Sequence, residues 1–81
     1  GVNLFRAKLF GTNTNLSGTI FFGAYLYQAD LSEANLSSAE LRGANLYGAK
    51  LYEASLLGAR LFGTKLCRAD LSRATLCRAN L

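Results

Sequence analysis

The sequence contains no histidine, proline, methionine or tryptophan, and it has only 2 cysteines and 5 acidic residues. Without histidine, Ser–His and Cys–His nucleophilic pairs cannot form. The few carboxylates are spread among bases, which suits surface pairing better than a tuned acid–base pair. No cluster of cysteine, histidine or carboxylate has the spacing of a metal site. These absences predict no catalytic residue, cofactor, metal or small-molecule substrate. Long apolar runs are missing too: "IFFGAYLY" at 20–27 is far too short to span a bilayer. No signal-like segment is visible. The chain opens on Gly1 and stops inside a repeat at Leu81, so it is expected to be a fragment or processed product.

What is present is one small unit, reused. Large apolar residues recur at 4 and 9, then every fifth position from 16 to 81, and all are leucine except Phe21. Two residues before each of these centres stands alanine, threonine or Val2. Every glycine lies two positions after a centre or the equivalent. The single irregular step, from Leu9 to Leu16, places a two-residue insertion near 11–14, where a small corner loop is expected.

A period of five excludes the ordinary elements. On an α-helix, five residues advance by about 500°, so the leucines would form no stripe. On a continuous strand, an odd spacing sends successive leucines to opposite faces. A bend in every repeat resets the parity and lets each centre point inward. The small residue two positions earlier then also faces in, the residue between them faces out, and glycine suits the bend. The predicted object is a coil with one side per repeat.

The units "ADLSE" (29–33), "ANLSS" (34–38), "ANLYG" (44–48) and "ADLSR" (69–73) resemble the A(D/N)LXX units of the pentapeptide-repeat family, most closely its cyanobacterial and plastid members. The resemblance covers essentially all of 1–81. It implies an all-β, right-handed quadrilateral parallel β-helix, a solenoid of about four coils with strand-like spacing of about 4.8 Å. It also points to bacterial cytoplasm or the plastid and thylakoid lumen.

Other motifs are by-products of the period. "GANLYGAK" (43–50) and "GARLFGTK" (58–65) imitate a phosphate-binding loop, but lysine does not directly follow the second glycine. The "NLS" sequons at Asn15 and Asn35 are written by the repeat itself. Cys67 and Cys77 are two sides apart, so a four-sided coil puts them on opposite walls as free thiols.

Discrimination between partners must then come from outward residues. In a four-sided coil, residues twenty apart stack. Tyr27, Tyr47 and Cys67 form one column with Phe5 below; Phe22, Arg42 and Phe62 form another, in which a guanidinium is expected between two rings. Asp30, Lys50 and Asp70, with Lys8, alternate in sign. Phe5, Phe22, Tyr25, Tyr27, Arg42, Tyr47 and Phe62 are the candidate interaction surface, although stacked rings also serve as structural ladders. The whole net charge of +4 lies beyond Ala59, where Arg60, Lys65, Arg68, Arg73 and Arg78 face only Asp70. These five bases form a collar over all four walls, unlike the stripe of a nucleic-acid groove.

The sequence therefore predicts a non-enzymatic scaffold or protein-interaction module, belonging to a larger subunit or assembly. One rival, which the same resemblance implies, is an acidic DNA-mimic inhibitor of type II topoisomerases; the positive charge opposes it. A basic nucleic-acid-binding module is the other. Open strand edges at both ends are expected to favour self-association.

Overall fold

The computed structural model describes residues 2–11 and 14–81. Thr12 and Asn13, and with them the expected corner loop, lie outside the described residues. The chain winds as a four-sided parallel β-helix. Parallel bridges join each outward residue before a centre to its counterpart one coil on: Asn35 to Ser55, Glu40 to Arg60, Asn45 to Lys65 and Lys50 to Asp70. The first wall comprises 2–6, 24–28, 44–48 and 64–68. The second comprises 7–11, 29–33, 49–53 and 69–73; the third 14–18, 34–38, 54–58 and 74–78; the fourth 19–23, 39–43, 59–63 and 79–81. Bridges Asn3–Tyr25 and Lys8–Asp30 span 22 residues, against 20 from Asn15–Asn35 onward. The two extra residues therefore leave the coil in phase.

One repeat shows why the motif has this form. In 44–48 the Asn45 amide donates to the Ala24 carbonyl (2.9 Å), Leu46 to Lys65 (2.8 Å) and Gly48 to Cys67 (2.9 Å). The corner is closed by Ala49 N–H donating to the Leu46 carbonyl at 3.0 Å. That bond, with positive φ at the third turn residue, defines a type II turn. The amide of Tyr47 has no backbone partner in the ladder; it donates to Oδ1 of Asn45 at 3.0 Å. Asn3, Asn15, Asp30, Asn35 and Asp70 cap the amide two residues on in the same way, and Glu40 does so with Oε1. Asn or Asp before the leucine is thus the shortest side chain that satisfies the one amide the ladder leaves over. The sequon residues Asn15 and Asn35 are employed here.

The bend does not depend on glycine. Eight other corner residues, among them Arg6, Gln28, Glu53 and Arg68, have φ between 54° and 62°. A non-glycine residue there costs about 1 kcal/mol, which the turn bond offsets, helped at Arg6, Gln28, Glu33, Ser38 and Glu53 by an inter-coil bond from the corner amide. At Gly48 (φ 67°) a side chain would also meet Cγ of Gln28, 3.2 Å from an added Cβ, so this corner has a second reason for glycine.

The inward leucines and alanines of 24–59, flanked by Phe21 and Leu61, are buried and form one core. Leu4, Leu9, Leu16, Leu66 and Leu71 pack against it only partly covered, while Leu76 and Leu81 are exposed. Thr64 occupies an alanine slot, and its hydroxyl donates to the Leu41 carbonyl at 2.7 Å, so the inward oxygen is satisfied.

Replacing Leu46 with lysine should bury an unpaired charge and abolish cooperative folding, whereas Ser37→Ala should lower stability by only about 1 kcal/mol through loss of its bond to Ser55. Circular dichroism melts check this, and comparable melting of the two variants would contradict the inward and outward assignment. Asn45→Ala should destabilise by about 1 kcal/mol by orphaning the Tyr47 amide, while Asn45→Asp should retain the cap.

Candidate interaction surface

The ring columns form on the first and fourth walls, which meet at a corner made of Gly23, Gly43 and Gly63. On the first wall, the Phe5 and Tyr27 rings lie 5.4 Å apart edge to face (78°), and Tyr27 and Tyr47 lie 5.4 Å apart and tilted by 51°. Tyr25 stands beside them in the column Asn3–Tyr25–Asn45–Lys65. Phe5, Tyr25 and Tyr27 are exposed, but Tyr47 is half-buried among its neighbours. On the fourth wall Phe22 and Phe62 are 62% and 68% exposed, the values expected of side chains that fill no core.

The column Phe22–Arg42–Phe62 is not a sandwich. The Arg42 guanidinium lies 5.8 Å from the Phe22 ring centre and makes no such contact with Phe62. Glu40, two residues earlier on the same strand, draws it sideways: Nε donates to Oε1 at 2.9 Å and Nη2 to Oε2 at 2.7 Å. This forked pairing satisfies both groups better than a second ring would. It also holds the Glu40 carboxyl below the usual carboxylate range, chiefly through the hydrogen bond from Arg42, and raises Arg42.

Charge ladders do exist, in columns other than the expected one. Lys8, Asp30, Lys50 and Asp70 are stacked by their bridges, yet no ion pair forms among them. Asp30 and Asp70 instead turn along their own strands to cap the amides of Ser32 and Ser72. The Ser72 hydroxyl also donates to Asp70 and is the main cause of its lowered pKa. The inter-coil pairs are Glu40–Arg60 at 3.7 Å and Glu53–Arg73 at 3.4 Å. Two members of the basic collar, Arg60 and Arg73, are therefore partnered by acids from the coil before. Lys65, Arg68 and Arg78 have no ion-pair partner among the described residues.

Sequence reasoning missed Ile20, which is 75% exposed beside Phe22. Its signal was available: isoleucine occupies a slot in which the repeat usually writes a polar residue. Phe10, Tyr52 and Leu57 are exposed singly on the second and third walls. Cys67 and Cys77 are free and exposed, on the first and third walls. Among the described residues there is no pocket, no cluster able to hold a metal ion and no helix long and apolar enough to cross a membrane.

The family model of pentapeptide repeats matches residues 1–37, 19–56, 29–66 and 54–81, and the chain belongs to the pentapeptide repeat family. Its fold is the right-handed quadrilateral β-helix of that family. A pentapeptide repeat protein of the Arabidopsis thaliana thylakoid lumen is similar in structure, with a TM-score of 0.81 and 36% identity over 89% of this chain and 52% of its own. HetL of the cyanobacterium Nostoc, involved in heterocyst differentiation regulation, gives a TM-score of 0.74 and 30% identity over 95% of this chain and 46% of its own. Another pentapeptide repeat protein of Nostoc gives 0.55 and 39% over 95% and 62%. The chain thus spans about half the length of the first two relatives. No curated protein sequence matches it.

Because the folded pKa of Glu40 lies below its unfolded value, the stability this carboxylate contributes is complete above about 4.5, the ordinary value, and is lost as pH falls through the lower folded pKa. Arg42→Gln should return the Glu40 titration toward the ordinary range. The melting difference between parent and variant should shrink in acid. Carboxyl NMR titration and melts across pH check both, and an unmoved Glu40 titration would exclude Arg42 as the cause.

Proposed function

We propose that the chain is a non-enzymatic, rigid protein-interaction module within a larger protein or assembly, and that the ring-rich first and fourth walls form its interface. The observation that carries the reading is the exposure of Ile20, Phe22 and Phe62 on one wall and of Phe5, Tyr25 and Tyr27 on the next, joined by a corner without side chains. Clustered exposed rings with an arginine are the composition of protein interfaces. They add little to a core completed by leucine and alanine, so their apolar area is available for a partner. The β-helix holds them at fixed spacing, which limits the entropy lost on binding.

The similarity to a thylakoid-lumen protein and to a cyanobacterial one supports a plastid or cyanobacterial setting. The net charge of +4 weighs against a DNA mimic, which must present negative charge.

Phe22→Ala, Tyr27→Ala and Phe62→Ala should each weaken binding to the native partner by about 2 kcal/mol or more while shifting the melting temperature far less. A photocrosslinking residue at position 22 or 62 in the native host should yield a discrete protein adduct absent from the same probe at Ser17. Variants that lose stability but keep affinity would show the columns to be structural ladders and would overturn this reading.

A further inference from the structure

Building on that interface reading, we infer that the first wall receives an acidic protein segment, one with carboxylates at both ends of an apolar stretch. Sorting the charges by wall is what points there. The first wall carries Arg6, Lys65 and Arg68 and no carboxylate at all. On the fourth wall, Arg42 and Arg60 are both engaged by Glu40. The second wall mixes Lys8, Lys50 and Arg73 with Asp30, Glu33, Glu53 and Asp70, and the third has Arg78 alone. Three positive charges of a net +4 therefore sit on the wall that also bears the Phe5–Tyr27–Tyr47 ladder. All three are exposed and none is in an ion pair among the described residues.

Their placement defines the ligand. Arg6 lies on the first coil beside Phe5, and Lys65 and Arg68 on the fourth, with Tyr25, Tyr27 and Tyr47 on the two coils between. Three coil steps of about 4.8 Å separate the two basic ends by about 14 Å. An extended chain advances about 3.3 Å per residue, so carboxylates about four residues apart would reach both ends while apolar side chains cover the rings. Electrostatic complementarity of this kind sets partner choice and encounter rate.

A single-stranded nucleic acid is also anionic, but the wall suits it less. Base stacking needs free ring faces. Here the Phe5 and Tyr27 rings are packed edge to face, and Arg6 lies over Phe5 at 5.7 Å. The middle coils supply no base on this wall to track a phosphate backbone.

The test uses a labelled peptide with paired glutamates flanking an apolar centre, its glutamine counterpart, and oligothymidine, each titrated into the intact protein by fluorescence anisotropy. The variant is Arg6→Gln with Lys65→Asn and Arg68→Gln. Its columns already carry Gln28 at positive φ and Asn45, so the fold accepts these residues. The control, Lys8→Asn with Lys50→Asn and Arg78→Ser, removes the same number of positive charges from other walls. The acidic peptide should bind at least about tenfold more tightly than its glutamine form. The first-wall variant should lose that advantage and the control should keep it. Equal loss in both variants, tighter binding of oligothymidine at this wall, or no peptide binding up to about 1 mM would overturn the proposal. Equal binding of both peptides, lost only in Tyr27→Ala, would overturn the acidic partner and leave the ring interface standing. Binding unaffected by Tyr27→Ala and Phe22→Ala would count against the ring interface itself.

Discussion

The turn in which a centre's carbonyl accepts from the amide three residues on, at Leu4 and at each centre from Leu16 to Leu76, is the constraint on which the rest depends. It turns the chain through one corner of a square, so twenty residues bring it back one strand spacing along the axis. Once the return is fixed, each repeat of the inner coils finds acceptors for its amides in the coils before and after it. The core follows from the same step, because resetting the strand at each corner aims every leucine at the axis. Positive φ at non-glycine corners is sustained by this cooperation, in which no single repeat would be stable alone.

The division of labour within the five positions explains why the sequence is so uniform in some places and so varied in others. The leucine and the small residue before it are fixed by the interior, where alanine lets walls close on one another. The asparagine or aspartate is favoured by one leftover amide. The two remaining positions face water; the second must turn the corner at positive φ, but neither has to fill the core, and it is there that phenylalanine, tyrosine, arginine, serine and cysteine alternate down the columns.

Periodicity made the inward set and a coil with one side per repeat legible in the sequence, and the resemblance to the pentapeptide-repeat family supplied the four sides that turn a spacing of twenty into vertical columns. Together they located the ring columns, and Phe5, Tyr27 and Tyr47 do stack. What they could not give was the direction in which a polar side chain leans. Arg42 could reach along the coil axis to two rings or along its own strand to Glu40, and only the forked hydrogen-bond geometry decides for Glu40. Asp30 and Asp70 faced the same choice between a lysine one coil away and an amide two residues on, and the fixed, nearby amide won. The collar of bases thinned for a related reason, since Glu40 and Glu53 reach upward from the coil before.

The two extra residues between Gly11 and Thr14 lengthen one circuit from 20 residues to 22 without disturbing any bridge that follows. That corner accepts a change of length while the bridges on either side of it keep their register. An insertion of a whole repeat is a different event: it adds a side and swings every later decoration by a quarter turn. Only the gain or loss of complete circuits, four repeats at a time, carries the pattern on each face through unaltered. A lineage that grows by duplicating single units would scramble its outer lettering while keeping its spine, whereas one that grows by fours would extend the same lettering along the axis.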